Sequence, residues 1–487
     1  MVPISALFSL VKSLSKSEKR YFRLLASPQK GDKLYLQLFD CLEKYVSFDI
    51  QLQAELKTLF PGSTIEPARK HLYRILMRSL RQFNTENEID VRLFNQIQDS
   101  KILFNRGLIN TCFEQLEKAK QLCLQYEKFE LYIQAARQEL QYFIQLQFEG
   151  LNELKLIQKQ EKIRELLEFE STVHQHASLY EVLLLRYWQH GSVRNAKDYT
   201  RLNDLLLEEH QIITNRRFQS FESHQLHLNF QSVYFLMAND VDQSLKTFYD
   251  LDKLFQQHID LWKHAPIYYF HLLQGILQTL RRMERYEEMS YFINQLKTIP
   301  NLSENLAYMV AYQVLEHEVY RAVNLKQYAL ALALIQSKAG EKNQPITRLP
   351  IQSQGQWWLT NARAWYGAGN YTNALKAINQ ALDLPNHTYN RLLYVCCRLM
   401  NLLIHTALNN KDYLFYELRS LERKLKADQS LYKAEKLVIN LIKHWLQHKS
   451  LKEFLNELNL LEEDPYEQQL VRELNLHDWV ESMNKKA

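Results

Sequence analysis

His444 and His448 stand four residues apart in "HWLQH", the spacing that turns two imidazoles to one face of a helix, where they could share a zinc ion. A metalloprotease helix carries Glu directly after the first His, and here that place is held by Trp445. The pair therefore reads as two helix-surface histidines. His224 and His227, with Glu222 beside them, read the same way, since the sequence has 16 histidines and chance brings several near a carboxylate. No G-x-x-x-x-G-K-[ST], G-x-G-x-x-G or G-x-S-x-G occurs, so phosphate cradles and nucleophile elbows are absent in their recognisable forms. These residues predict no catalytic site, no metal site and no cofactor.

A different chemistry lies in "PARKHLYRILMRSLRQF", residues 67–83. Lys70, Arg74, Arg78 and Arg81 follow steps of four, four and three and form one cationic stripe, while Leu72, Ile75, Leu76 and Leu80 supply apolar faces. A stripe of this kind can track phosphates or dock on an acidic protein, and it can also simply face water. The formal charge of +5 is local to this region. Residues 1–83 hold 14 Lys and Arg against 7 Asp and Glu, and the remainder is slightly acidic.

The elements that must position these side chains are helices. With only 10 glycines and 10 prolines in 487 residues, a turn-rich sheet protein is excluded, and 46% hydrophobic residues suffice for a large core. No apolar run approaches the ~18 residues that span a bilayer, the densest being "YALALALI" at 328–335. The first twenty residues carry their positive charges after the apolar ones and do not read as a secretory leader. Cys41, Cys112, Cys123, Cys396 and Cys397 are an odd number without a CxxC, which suits a reducing cytoplasm.

The stretch "WWLTNARAWYGAGNYTNALKAINQALDLP", residues 357–385, shows how the helices are joined. Trp358, Ala362 and Trp365 share a face of one helix, Gly369 and Asn370 interrupt it, and Ala374, Ile378 and Ala381 mark a second helix that ends near Pro385. Small residues let the two approach while tryptophans fill the space above and below. An inward pivot about five residues after a turn position recurs at Cys112, Leu154, Ala196, Ser244, Met289, Ala331, Ala374 and Tyr416, at steps of about 43. Gly107, Gly150, Gly191 and Gly369 stand at that turn, where a left-handed backbone costs glycine little. The spacing predicts an all-α array of helical hairpins over residues 85–425, each burying its apolar face on its neighbours. Residues 1–84 form a separate basic helical unit, with a capping box from Ser15 to Glu18, and residues 426–487 form short capping helices with a restart at Asp464-Pro465. Residues 337–356, with two prolines, are expected to be an exposed loop.

The order aromatic, small residue, aromatic, turn glycine, Tyr371, Ala374, Ala381 and proline resembles a tetratricopeptide repeat in this one unit; the period near 43 exceeds the usual 34 and implies longer helices. The resemblance implies a right-handed α-solenoid whose first helices line a concave groove. It places Gln356, Leu359, Arg363 and Tyr366 on that groove, together with His271, Gln274, Gln278, Arg281 and Arg282 from the unit ending at Pro300. Amide and guanidinium ends on apolar stems suit an extended peptide with acidic residues. Members of the family that bind chaperone tails use a Lys and Asn clamp, and Leu359 and Arg363 stand in its place, which argues against that ligand. The expected function is a non-enzymatic scaffold for a protein or peptide partner, with no membrane association; the alternative is a regulator whose basic N-terminal unit binds nucleic acid.

Overall fold

A computed structural model of the chain describes residues 2–26, 34–62, 64–84, 89–200, 202–215, 220–300, 303–339, 346–385, 390–428 and 431–484. The fold is all-α, with 82% helix and no strand among the described residues. Packing groups the chain into two compact units, Met1–Ile163 and Arg164–Ala487, divided inside the long helix Glu153–His190. That grouping differs from a segmentation at residues 84 and 425, which follows only where the repeat period begins and ends. No described helix is long and apolar enough to cross a membrane.

The first unit opens with five helices, Ile4–Ser13, Lys16–Ala26, Leu34–Lys44, Ile50–Leu59 and Ile65–Asn84, around Leu7, Phe22, Phe39, Leu52, Leu72 and Leu76. The capping box forms as read: Ser15 N–H donates to Glu18 at 2.7 Å and Glu18 N–H donates to Ser15 Oγ at 3.2 Å. The sequence pattern marks only three of these helices. Ile50–Leu59 is started by Asp49, whose carboxylate accepts from Leu52 N–H at 2.9 Å. Ile89–Asn105 and Ile109–Gln125 then pair across Gly107, and Phe129–Gln145 packs on them.

In the second unit five hairpins follow one another: Phe221–Met237 with Val241–Gln257, Ile267–Arg282 with Tyr286–Lys297, Glu304–Asn324 with Tyr328–Ala339, Ile351–Gly367 with Tyr371–Leu382, and Arg391–Ala407 with Lys411–Ala427. All five close the same way. A left-handed residue, in turn Asn239, Glu284, Lys326, Gly369 and Asn409, follows the first helix. The next residue's N–H then returns to a carbonyl five positions back: Asp240 to Phe235, Arg285 to Leu280, Gln327 to Ala322, Asn370 to Trp365 and Asn410 to His405, all at 2.8–3.0 Å. This satisfies carbonyls that a helix end would otherwise leave bare.

The pivot stands five residues after the left-handed position, and Ser244, Met289, Ala331 and Ala374 are fully buried there, as is Cys112 in the first unit. Two expected pivots are corrected. Tyr416 is 75% exposed and its place is taken by Leu414, five after Asn409, because the turn comes two residues earlier than a pivot at Tyr416 requires. Leu154 is 65% exposed, and Leu156 packs in its stead against Ala136, Leu140 and Ile163. The side chain of Ala196 lies outside the described residues. All five cysteines are buried and free.

Close approach of helices accounts for two glycines. A Cβ on Gly275 would lie 2.4 Å from Phe248 Cζ, and one on Gly367 would lie 2.0 Å from Tyr328 Cε1. In the Trp-rich hairpin Ala362, Ala374, Ile378 and Ala381 are fully buried, and Trp357 is more enclosed than the expected Trp358. The expected loop at 337–356 is shorter than read, since a helix begins at Ile351; residues 340–345 lie outside the described residues. The chain then forms Lys433–Leu446, Phe454–Glu463, Gln468–Glu473 and Leu476–Asn484, with the break at Asp464-Pro465 where the sequence marks it.

Candidate functional site

The arginine-lined surface is built from equivalent positions of successive hairpins. Gln278, Tyr320 and Arg363 each stand six residues before the left-handed residue that ends their helix, so the repeat brings them into one row. Arg281 and Arg282 close the Ile267–Arg282 helix, where a cation also faces the negative end of the helix dipole. The guanidinium of Arg281 lies 3.5 Å from the centre of the Tyr320 ring, and that of Arg363 lies 5.1 Å from it.

These positions do not form an open strip. Arg281 is buried and donates to both oxygens of buried Glu316 at 2.9 and 3.0 Å, and Thr360 donates to the same carboxylate at 3.1 Å. Arg363 is also buried and donates to Asn324 at 2.8 Å and to Glu473 at 3.4 Å. Gln356 donates to Glu473 at 3.3 Å, and the Tyr320 hydroxyl does so at 3.4 Å. The protein's own Gln468–Glu473 helix thus lies along the row. Sequence pattern reads these last helices as a cap over the final hairpin; they do share an apolar cluster with it, and they also reach back to residues far earlier. Glu467 extends the same relation, accepting from Arg194 at 2.6 Å, while Arg194 also pairs with Glu435 at 3.1 Å.

Arg282 differs from its neighbours. Its acceptors among the described residues are the Leu236 carbonyl at 2.8 Å, the Ser192 hydroxyl and the Gln469 amide oxygen, none of them charged. Burial pulls its pKa below the usual arginine value, with Tyr187 and Glu473 opposing. Arg472 donates to the Arg282 carbonyl at 3.0 Å, and its own buried Nε has no acceptor among the described residues. Gln278, Arg282, Gln356, Gln469, Arg472 and Glu473 line one pocket. Three guanidiniums, those of Arg281, Arg282 and Arg472, line it with one carboxylate, that of Glu473; Arg281 is also paired with Glu316, and Glu473 with Arg363. Such a place is suited to one more anion.

The other sequence-marked residues are dispersed. Leu359 is fully buried in the core and offers nothing to a groove. His271 is exposed beside Gln274, its Nδ1 3.1 Å from the amide oxygen. Tyr366 is half-buried against Tyr371, with ring centres 5.2 Å apart, and desolvation raises its hydroxyl pKa. Lys70, Arg74, Arg78 and Arg81 are exposed on Ile65–Asn84, Arg74 lying 2.9 Å from His71 Nδ1. His444 and His448 do not converge: His444 faces Glu453 at 3.2 Å, and His448 lies past the helix end with φ of 54°. His227 turns to buried Glu209 at 2.8 Å, which also faces His176. No periodic spacing joins His176, Glu209 and His227, because each lies on a different helix.

No family model matches the chain, and no curated protein or solved structure is significantly similar to it.

Proposed function

We propose that the protein is a non-enzymatic interaction scaffold, a tetratricopeptide-like right-handed solenoid of hairpins that holds an acidic segment of a protein partner in the pocket beside Arg282. The reading rests on one observation: Arg282 is a part-buried cation with only uncharged acceptors, next to the bare Nε of Arg472. A buried charge without a directly bonded counter-charge is costly, Glu473 offsets that cost only from a distance, and an incoming carboxylate removes more of it. Glu473 supports the reading by example, as a carboxylate from a short helix already held by Arg363, Gln356 and Tyr320. Five free buried thiols favour a reducing compartment, and we place the protein in the cytoplasm on that ground.

The test is fluorescence anisotropy with a labelled decapeptide rich in Asp and Glu, against the same peptide carrying Asn and Gln. The acidic peptide should bind the wild type, and Arg282→Gln should weaken it at least about tenfold, the loss of one charge-assisted contact of about 1.5–3 kcal/mol. Equal binding of both peptides, or of both proteins, would remove the reading.

The exposed row Lys70, Arg74, Arg78 and Arg81 favours a second reading, a phosphate-tracking face on the N-terminal unit. Changing all four to Glu should then abolish retention of the full chain on single-stranded RNA resin at near-physiological salt. Absence of wild-type retention would dismiss it.

A further inference from the structure

In the second unit the latter part of Glu153–His190 and the helices Asn203–Asn215 and Phe221–Met237 turn one side chain each toward a common point. Glu209 and His176 are almost wholly buried there, at 1% and 2% exposure, and His227 stands at the edge with its side chain 14% exposed. A single oxygen, Glu209 Oε1, faces both rings, with His227 Nδ1 at 2.8 Å and His176 Nε2 at 3.6 Å. The donor atoms of the three residues all lie within 4.8 Å of one another.

We propose that His176, Glu209 and His227 form a binding site for a divalent transition-metal ion, with zinc as the ion it takes. The argument is one of geometry and donor type. Zinc bonds to imidazole nitrogen and carboxylate oxygen at about 2.0–2.2 Å in a tetrahedron, which sets neighbouring donors about 3.3–3.5 Å apart. The two oxygen-to-nitrogen separations, 2.8 and 3.6 Å, bracket that edge. Only the two imidazoles need to close on each other, a rotation of the His227 ring at the partly exposed edge. Two imidazoles with one carboxylate are a donor set that favours zinc over magnesium or calcium, which take oxygen ligands. Three protein donors leave the fourth position to water, which enters beside His227.

The ion would fasten the Asn203–Asn215 helix to its two neighbours. Besides this cluster, that helix is held by Leu205, Leu206 and Ile212 in an apolar cluster with Leu179, Leu183 and Phe230, by the Tyr234 hydroxyl on Asn203 at 3.5 Å, and by the pair Asp204 and Arg186 at 2.9 Å. The inference is independent of the arginine pocket and stands or falls without it.

The experiment uses the full chain without an affinity tag, stripped with a chelator and dialysed. Zinc is titrated in competition with a chromophoric chelator, and cobalt(II) is added separately as a spectroscopic probe. The expected result is one zinc per chain and a visible cobalt spectrum of tetrahedral intensity. Changing a group that only holds a metal ligand in place costs about 10–100-fold in affinity, so His176→Ala or His227→Ala should cost more than about 100-fold. His444→Ala with His448→Ala serves as the control and should leave affinity unchanged. Absence of stoichiometric zinc, an octahedral cobalt spectrum, or a loss of binding in the control equal to that in the cluster variants would each overturn the proposal. Because the cobalt spectrum is read on the wild type, the proposal remains testable even if a variant does not fold.

Discussion

Glu473 lies 3.4 Å from the guanidinium of Arg363, a residue 110 positions earlier in the chain. The contact puts the acidic end of one short helix against a row made by earlier hairpins, so the chain itself occupies part of the arginine-lined surface. Its energetics follow from burial. Arg363 is buried while Glu473 keeps 18% of its side chain exposed, so the arginine has more to lose when the pair is broken.

Glu473→Gln should accordingly destabilise the protein by about 3 kcal/mol, at the low end of the cost of breaking a buried pair. Amide exchange should rise most over residues 465–484. Urea denaturation and hydrogen exchange check this, and a variant as stable as wild type would mean that the helix is held by Leu470, Val471, Trp479 and Val480 alone.

Gly275→Ala should cost about 1–3 kcal/mol, even though alanine favours a helix over glycine by about 1 kcal/mol. The added methyl group would meet the ring of Phe248, itself only 3% exposed and unable to move aside. Gly367→Ala should cost less, because Tyr328 is half-exposed and can swing away. Thermal melts of the two variants rank them.

His317 is fully buried, and neither ring nitrogen has a hydrogen-bond partner among the described residues. Desolvation holds its pKa down to about 4, with Glu316 opposing and Arg281 assisting. The unfolded chain therefore binds a proton near pH 6.5 that the folded chain refuses until about pH 4. Stability from this group is complete above pH ~6.5 and falls as pH drops toward 4, by up to about 3 kcal/mol. Urea midpoints at pH 7 and pH 4.5 should differ less in His317→Leu than in wild type, and an unchanged difference would assign the acid sensitivity elsewhere.

Trp357→Ala should remove about 3–5 kcal/mol of packing against Leu315, Val319 and Ala364. If hairpins are stabilised by their neighbours, faster amide exchange should concentrate between residues 305 and 385. Uniform loosening of the whole second unit would argue for one undivided core instead.

How much of this was legible in the sequence follows from which signals are local. Gly107, Gly150, Gly191 and Gly369 all take the left-handed backbone expected at a hairpin turn, since a turn glycine marks itself. Glu284 and Lys326 take the same conformation without a mark, because ordinary residues tolerate αL at modest cost when the surrounding bonds demand it. The arginines could be assigned to first helices from periodicity, but no period of 43 relates Arg363 to Glu473. The same is true of His176, Glu209 and His227, which meet only because three helices pack. Leu359 lies in the core and not on an open groove, because the helical period gives a face and does not say what covers it.

The reach of Glu467 and Glu473 also has an order in time. Arg363 precedes Glu473 by 110 residues and Arg194 precedes Glu467 by 273. At a synthesis rate of about 5–20 residues per second, the arginine emerges about 5–20 s ahead of its carboxylate in the first case and about 15–55 s ahead in the second. During translation, each chain therefore passes through an interval in which Arg363 has not yet met Glu473 and Arg194 has not yet met Glu467, so the hairpins must stand for seconds without these two carboxylates.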